Sequence, residues 1–127
     1  MNMDISKKAI IVEDNLILSV LYQNILKKKV FKTVGEIRDG ETAVDLVRKY
    51  NPDIVIMDIM LEGTIDGITA AEKIREFSDV PILFITGSTD QPYAIRASKV
   101  SNSEFMKKPI SQAKLSEAVD HILAKPV

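Results

Sequence analysis

The chain has 127 residues, 46% of them hydrophobic and 28% charged, which suits a single soluble globular domain. A net charge of -1 argues against a general nucleic-acid binder, and the absence of cysteine excludes disulfides, thiolate metal sites and cysteine nucleophiles. No apolar stretch approaches the ~20 residues of a membrane span and residues 1–8 lack the apolar core of a signal peptide, so we expect a cytoplasmic protein without membrane insertion.

Short apolar runs alternate with segments of helical periodicity along the chain. The runs are rich in β-branched side chains and bounded by breakers or polar residues, which is typical of strands buried on both faces of a parallel sheet. The segments between them carry apolar residues three or four positions apart, as helices do. Strands are predicted at residues 9–12, 31–37, 54–57, 80–85 and 104–107. Helices are predicted after residue 15, at 41–50, 68–77 and 90–100, and after residue 111.

Several polar residues have purely structural explanations. Asp14 or Asn15 can cap the first helix, and Ser111 is expected to cap the last. Glu72 and Arg75 are expected to form at most a weak surface pair. A group of lysines near the end of the first helix is interpreted as a solvated helix terminus, with a docking patch as the alternative. These lysines are Lys27, Lys28, Lys29 and Lys32.

The order of strand then helix, repeated five times, predicts parallel strands joined by right-handed crossovers, with helices on both faces. The fold class is therefore α/β, a doubly wound three-layer sandwich. A closed eight-stranded barrel would need roughly twice the length. No internal repeat or interdomain linker interrupts the pattern, so we expect one domain over residues 1–127.

Four of the five predicted strands end in residues that carry chemistry. Glu13 and Asp14 follow the first strand, Asp58 the third, Thr86 the fourth and Lys108 the fifth. The carboxyl ends of parallel strands share one edge of the sheet, where ligands of open α/β folds bind, so we expect these five side chains to meet. Taken one at a time, each has a simpler explanation: Asp58 can cap a loop, and Lys108 can be an ordinary solvated lysine.

Three carboxylates in one pocket repel each other, and without a counter-charge at least one should have a raised pKa. A divalent cation removes this conflict, and oxygen ligands without cysteine or histidine favour Mg²⁺ or Mn²⁺ over Zn²⁺. The single histidine, His121, is expected at the surface. A lysine and a hydroxyl facing the cation form a phosphoryl-transfer arrangement. Asp58 is then the expected nucleophile, because aspartyl phosphates are known covalent species.

Five short motifs occur in a fixed order along residues 8–123. They are the Glu13-Asp14 pair, Asp58 after its apolar run, Asp66-Gly67 before a helix, Thr86-Gly87 and Lys108-Pro109. Together they resemble the receiver domain of two-component response regulators. The resemblance implies a flavodoxin-like fold with sheet order 2-1-3-4-5. It also implies that Asp58 accepts a phosphoryl group from a sensor histidine kinase or a histidine phosphotransfer protein. The implied ligands of Mg²⁺, for which Mn²⁺ can substitute, are Glu13, Asp14, Asp58 and the backbone carbonyl of Met60.

The resemblance further implies a conformational switch. Lys108 would bind the phosphoryl group, and its peptide bond to Pro109 would be cis. Thr86 and Phe105 would be the switch pair; the alternative for Phe105 is a static core aromatic. Phosphorylation would reshape the surface of the fourth helix, fifth strand and fifth helix, where an unidentified downstream protein or a second copy of the chain would bind. No direct contact with nucleic acid is implied.

The chain departs from the usual receiver pattern at three places. Glu-Asp replaces Asp-Asp after the first strand, the loop at residues 60–67 is one residue longer, and Ser101-Asn102 replaces a Gly-Ala pair. The two positions that influence hydrolysis in the family carry Met60 and Ser88. Neither side chain orients an attacking water well, so we expect slow loss of phosphate. No output domain follows, so no DNA-binding or enzymatic effector is expected.

Three other functions fit parts of the pattern. A phosphohydrolase of the haloacid-dehalogenase type also uses an aspartate nucleophile and Mg²⁺, but it needs a second aspartate where this chain has Met60. A flavodoxin-like scaffold that is never phosphorylated is disfavoured by the complete acidic set. A nucleotide binder would need a glycine-rich phosphate loop after the first strand, and the sequence has none there.

Overall fold

Five strands alternate with five helices in the part of the chain that the computed structural model describes, residues 7–87 and 90–124 without the side chain of Glu36. The strands are β1 (Lys7–Val12), β2 (Phe31–Ile37), β3 (Ile54–Met57), β4 (Ile82–Thr86) and β5 (Ser103–Lys107). The helices are α1 (Leu16–Lys28), α2 (Gly40–Tyr50), α3 (Gly67–Arg75), α4 (Gln91–Ser98) and α5 (Gln112–Ala124). Within these residues, no helix combines the length and the apolar character needed to cross a bilayer.

The sheet has the order β2-β1-β3-β4-β5, and every neighbouring pair of strands is parallel. This confirms the predicted flavodoxin-like topology. Val12 of β1 lies opposite Met57 of β3, and Met57 lies opposite Phe84 of β4. The register therefore places the ends of these strands close to one level, so that the residues that follow them can meet at one edge.

Both faces of the sheet are covered, which explains why the central strands are apolar at every position. In β3, Val55 and Met57 pack on the side of α2, α3 and α4, while Ile54 and Ile56 pack on the side of α1 and α5. All four side chains are buried. Because alternate side chains of a strand point to opposite faces, a strand inside a three-layer sandwich has no solvent side. The predicted three-layer architecture is thus confirmed.

Side-chain caps fix where the first and last helices begin. At α1 the choice is settled in favour of Asn15, whose Oδ1 accepts hydrogen bonds from the N–H groups of Ile17 and Leu18 at 3.0 and 3.1 Å. Asp14 is therefore not needed as the cap. The Oγ of Ser111 accepts from the N–H three residues later at 3.1 Å, which confirms the predicted cap of α5.

An arginine holds the turn before β5, a role that the sequence does not predict. Arg75 is expected to form at most a weak pair with Glu72, but its guanidinium donates to the carbonyl oxygens of Ser101, Asn102 and Ser78 at 2.8, 3.0 and 3.1 Å. Asn102 has a left-handed φ of 49°, which asparagine tolerates better than most residues. These contacts explain how the chain enters β5 without the Gly-Ala pair that the resemblance leads us to expect.

Some predicted boundaries are wrong by one or two residues. α3 ends at Arg75 rather than at residue 77, and α4 spans Gln91–Ser98 rather than 90–100. β4 begins at Ile82 rather than at residue 80, and Pro81, just before it, has no N–H to donate to a neighbouring strand. The errors lie at element ends, where the local pattern carries the least information.

Candidate functional site

The carboxyl edge of the sheet brings the predicted residues together. The N–H of Glu13 donates to β2 at 2.9 Å, and the N–H of Asp58 donates to the carbonyl oxygen of Val12 at 2.9 Å. On the other half of the sheet, the N–H of Lys108 donates to the carbonyl oxygen of Thr86 at 2.8 Å. Each residue therefore continues the ladder of its own strand by one step, and all of them leave the sheet at the same edge.

The ammonium group of Lys108 lies between two buried carboxylates. Its Nζ is 2.9 Å from Oδ2 of Asp58 and 2.7 Å from Oε1 of Glu13. Glu13 is only 3% exposed and Asp58 only 6%. Lys108 is thus not an ordinary solvated lysine, whereas the neighbouring Lys107 is exposed. The peptide bond from Lys108 to Pro109 is cis, as the resemblance implies.

Burial and neighbouring charges shift the pKa values of Glu13 and Lys108. Burial raises the pKa of Glu13, and the contacts with Lys108 and with the N–H of Asn15 only partly offset it. Burial acts to lower the pKa of Lys108, but the hydrogen bonds to Asp58 and Glu13 outweigh it, so the pKa of Lys108 is raised. The raised pKa of Glu13 agrees with the expected conflict among neighbouring acids, although burial contributes more than the charge of Asp58.

Three carboxylates form a compact cluster at this edge of the sheet. One oxygen from each of Glu13, Asp14 and Asp58 lies within 4.8 Å of the others, and among the residues that the structure describes this is the one such group of three potential metal ligands. Asp14 is exposed, while the other two are buried. A compact set of oxygen donors without sulfur or nitrogen fits Mg²⁺ or Mn²⁺.

Two backbone N–H groups orient the buried carboxylates. The N–H of Asn15 donates to Oε2 of Glu13 at 3.1 Å, and the N–H of Met60 donates to Oδ1 of Asp58 at 3.2 Å. Each carboxylate therefore has one oxygen held by the backbone and the other in contact with Lys108. Such double contacts restrict the rotation of a carboxyl group and leave its position well defined.

Thr86 and Phe105 lie on adjacent strands beside the cluster. Thr86 is the last residue of β4 and is fully buried. Phe105 lies on β5 opposite Phe84 and is partly buried against the side of the sheet covered by α2, α3 and α4. Both residues lie at the expected places in the sheet. A single conformation does not show movement, so their role as a switch pair stays a prediction. Ser88, the second position expected to influence hydrolysis, lies outside the described residues.

A glycine allows the loop after Asp58 to turn back on the strand. The N–H of Gly67 donates to the carbonyl oxygen of Ile59 at 2.8 Å. A Cβ added at Gly67 would lie 2.0 Å from the carbonyl oxygen of Asp58, so no other residue fits without a shift of the backbone. Asp66 caps α3 by accepting from the N–H of Thr69 at 2.7 Å. The Asp-Gly motif thus closes the loop that leaves the candidate nucleophile.

Glu41 anchors the same loop from α2, a contact that the sequence pattern does not predict. Its Oε1 accepts from the N–H of Thr64 at 3.0 Å and also from the hydroxyl of Thr64. The hydroxyl contact is the largest cause that lowers the pKa of Glu41. The anchor ties the loop at residues 60–67 to α2. Glu41 reads in the sequence as an ordinary acid in the first turn of a helix, so no local pattern reveals this contact.

Arg96 connects α4 to the start of α3, which the sequence pattern does not predict either. Its guanidinium donates to Oδ2 of Asp66 at 2.9 Å and to the hydroxyl of Thr69 at 3.2 Å. Burial opposes ionisation of Asp66, yet the N–H of Thr69 and the guanidinium of Arg96 outweigh it and lower the pKa of Asp66. The partners are 30 residues apart in the chain, so only the fold brings them together.

The remaining candidates lie away from the edge. His121 is on α5, mostly exposed, with Nδ1 2.7 Å from Oε1 of Glu104, which agrees with the expected surface position. Lys27 and Lys28 occupy the last turn of α1. Lys29 pairs with Asp120 of α5 at 2.8 Å. Lys27, Lys28 and Lys29 therefore lie at the end of α1 as expected, and Lys29 also contacts α5.

The chain is similar in sequence to a known protein family. A family model described as the response regulator receiver domain matches residues 9–120. The transcriptional regulatory protein PdtaR of Mycobacterium tuberculosis is 29% identical over 116 residues, which cover 91% of this chain and 56% of PdtaR. The chain thus spans about half the length of that relative. The chemotaxis protein CheY of Bacillus subtilis is 29% identical over 117 residues, which cover 91% of this chain and 97% of CheY.

Solved structures show the same fold. The signal receiver domain of a modulated diguanylate cyclase from Desulfovibrio desulfuricans superposes with a TM-score of 0.83 at 28% identity, covering 93% of this chain and 94% of that domain. A two-component response regulator of the LuxR family from Aurantimonas superposes with a TM-score of 0.83 at 29% identity, covering 94% of this chain and 86% of that protein.

Proposed function

Because the chain belongs to the response regulator receiver domain family, we propose that it is the phosphoacceptor of a two-component phosphorelay and accepts a phosphoryl group on Asp58. The observation that carries the proposal is the position of Lys108, whose ammonium lies 2.9 Å from Oδ2 of Asp58 beside a compact set of carboxylates. The donor would be a sensor histidine kinase or a histidine phosphotransfer protein. A single receiver domain, with its core over about residues 8–123, would accept the phosphoryl group.

The transfer forms one bond and breaks one. A carboxylate oxygen of Asp58 forms a P–O bond while the P–N bond of the phosphohistidine breaks, and the electron pair of that bond stays on the imidazole nitrogen. The product is an acyl phosphate on Asp58. The backbone N–H of Met60 holds Oδ1 of the carboxylate at 3.2 Å and so sets the orientation of the group before transfer.

A divalent cation fits the same edge. Glu13, Asp14, Asp58 and the backbone carbonyl of Met60 would hold Mg²⁺, with Mn²⁺ as a substitute, since three carboxylates and a carbonyl supply only oxygen donors. A bound cation would neutralise the negative charge on the transferred phosphoryl oxygens. Asn15 supports this site from the side, because its N–H fixes Glu13 while its side chain caps α1.

Lys108 would change partners on phosphorylation. In the structure its ammonium is shared between Asp58 and Glu13. The phosphoryl group would place new negative oxygens next to Asp58, and the ammonium would contact one of them because charge-assisted hydrogen bonds to phosphate are strong. The raised pKa of Lys108 keeps it protonated for this contact.

The signal would pass to the surface formed by α4, β5 and α5. Thr86 would move toward the new oxygens, and Phe105 would turn into the vacated space. The partly buried position of Phe105 supports this, since an inward turn would remove more of the ring from water. The change is a population shift between two packings, driven by contacts that only one of them makes with the phosphoryl group. The reshaped surface would bind a downstream protein or a second copy of the chain.

The test is the intact mass of the protein after incubation with acetyl phosphate and Mg²⁺. The wild type should gain the mass of one phosphoryl group, and Asp58→Asn should gain none. Asp53→Asn is the matched control, because Asp53 lies just before the same strand at its opposite end and bonds the N–H of Lys8 at 2.7 Å. This control should be labelled like the wild type. Equal labelling of Asp58→Asn, or no labelling of the wild type, would refute the proposal.

A phosphohydrolase predicts a different outcome in the same experiment. That chemistry needs an acid two positions after the nucleophile, where this chain has an exposed Met60. A receiver accumulates the phosphoprotein, whereas a hydrolase releases phosphate continuously and stays unlabelled at steady state. Measuring the released phosphate beside the mass separates the two.

A further inference from the structure

Tyr22 is a buried tyrosine whose hydroxyl the core does not need. It lies on the inner face of α1 with Ile25 and Leu26 and is 1% exposed. Its ring belongs to the apolar layer that α1 and α5 form against the sheet. Among the residues that the structure describes, its hydroxyl has no hydrogen-bond partner. A buried hydroxyl without a partner is unfavourable, and phenylalanine would fill the same space without that cost.

Tyr22 and Glu13 lie on the same face of the sheet. Tyr22 packs with Ile11 of β1, and Glu13 follows Ile11 by two residues in the continued ladder of that strand, so its side chain points to the same face. Burial, followed by the negative charge of Glu13, raises the pKa of Tyr22 to about 12, and the charges of Lys108 and Asp58 also act on it. These three residues are the ones joined by the Lys108 ammonium. The phenol is therefore protonated at neutral pH and is available as a hydrogen-bond donor beneath the site.

Glu13 depends on Lys108 for one of its two oxygens. Its Oε2 accepts from the N–H of Asn15 at 3.1 Å, while its Oε1 contacts only the shared ammonium of Lys108, at 2.7 Å, among the contacts described. In the proposed function this ammonium turns to the phosphoryl group. The buried carboxylate of Glu13 can then accept from another donor while it holds the cation.

We propose that Tyr22 is a positioning residue for the phosphorylated site: its hydroxyl donates to Glu13 once Lys108 has moved to the phosphoryl group, and it holds that carboxylate in place for the divalent cation. The inference rests on the proposed function and adds to it a residue outside the acid cluster. The inference explains why the Tyr22 hydroxyl is buried beneath the acid cluster although it has no hydrogen-bond partner in the unphosphorylated protein.

The experiment compares Tyr22→Phe with the wild type in the full chain. Thermal unfolding without metal is measured first, and Mg²⁺ affinity is then measured by titration calorimetry in the presence of beryllofluoride, an analogue of the phosphoryl group. Tyr22→Phe should unfold at the same temperature as the wild type or higher, because it loses an unpartnered hydroxyl. Its affinity for Mg²⁺ with beryllofluoride should fall by about threefold to tenfold, the effect of one hydrogen bond.

Two controls separate positioning from packing. Tyr50→Phe removes a hydroxyl from a partly exposed residue at the end of α2 and should leave the affinity unchanged. In a Glu13→Gln background, Tyr22→Phe should have little further effect, because the hydroxyl acts through the carboxylate of Glu13. An affinity of Tyr22→Phe within twofold of the wild type, or an equal loss in the Glu13→Gln background, would overturn the inference.

Failure of the inference can be told apart from failure of the proposed function. If the wild type takes up a phosphoryl group at Asp58 and Tyr22→Phe binds Mg²⁺ with beryllofluoride equally well, only the role of Tyr22 is refuted. If the wild type neither takes up a phosphoryl group nor binds Mg²⁺ with beryllofluoride, both proposals are refuted.

Discussion

Replacing Lys108 by methionine tests whether its ammonium neutralises the buried acids. The substitution keeps most of the volume of the side chain and removes the charge that lies 2.7 Å from Glu13 and 2.9 Å from Asp58. Removing one partner of a buried ion pair costs ~3–5 kcal/mol. The side chain of Lys108 is 19% exposed, so the lower end applies, about 3 kcal/mol at pH 7 without metal. For a chain of this size that corresponds to a fall in Tm of roughly 10 °C.

The unfolding free energy lost in Lys108→Met should be larger at pH 7 than near pH 4.5. The pKa of Glu13 in the folded chain is raised above its ordinary value of 4.5, so the stability contributed by this group is fully present below pH 4.5 and is lost as the pH rises through the raised value. Removal of Lys108 takes away a contact that lowers this pKa and therefore raises it further. The difference between Lys108→Met and the wild type should be small near pH 4.5 and full at pH 7.

The assay is thermal unfolding followed by circular dichroism, at both pH values and with a chelator present. Lys107→Met is the matched control, because Lys107 is the adjacent residue but is exposed; its unfolding free energy should stay within about 0.5 kcal/mol of the wild type. Excess Mg²⁺ should restore part of the loss, since the cation replaces the missing positive charge. Equal stability of Lys108→Met and the wild type at pH 7, or an equal loss at both pH values, would refute the reasoning.

Three further predictions follow from single side chains. Gly67→Ala should destabilise the protein by about 2–3 kcal/mol in urea unfolding, because its Cβ would meet the carbonyl oxygen of Asp58 at 2.0 Å, whereas Gly87→Ala, whose nearest contact is at 4.0 Å, should be tolerated. Met60→Asn should lose its phosphoryl group faster than the wild type, measured by the decay of the phosphorylated mass, because a carboxamide can orient the attacking water. Tyr22 has a pKa raised from 10.0 to about 12, so about 2–3 kcal/mol of stability should be present below pH 10 and lost by pH 12; in Tyr22→Phe this loss should be absent from pH-dependent unfolding.

Each of these predictions has a contradicting result. A Gly67→Ala protein as stable as Gly87→Ala would mean that the loop moves at no cost. A phosphoryl group that decays no slower in the wild type than in Met60→Asn would refute the expected long lifetime. Identical alkaline unfolding of the wild type and Tyr22→Phe would show that the phenol is not desolvated beside Glu13.

The fold could be predicted because its determinants are local. Four consecutive buried residues in β3 and helices with apolar residues three or four apart need only a short window to be recognised. The repeated strand–helix order then restricts the topology to parallel strands with right-handed crossovers. The same argument predicted which residues leave the strands, and the register of Val12, Met57 and Phe84 confirmed that they reach one edge.

The sequence pattern by itself determined the α/β class, the parallel strands and the set of residues gathered at the carboxyl edge, because periodicity and strand ends are properties of neighbouring residues. The strand order followed only from the resemblance to receiver domains. Only the tertiary structure decided that Asn15 rather than Asp14 caps α1, and that Lys108 bridges two carboxylates. It also revealed the anchor of the long loop on Glu41 and the link from Arg96 to α3. Apart from the cap, these contacts join residues at least 23 positions apart in the chain, and their formation depends on how helices pack against the sheet, which no local pattern specifies.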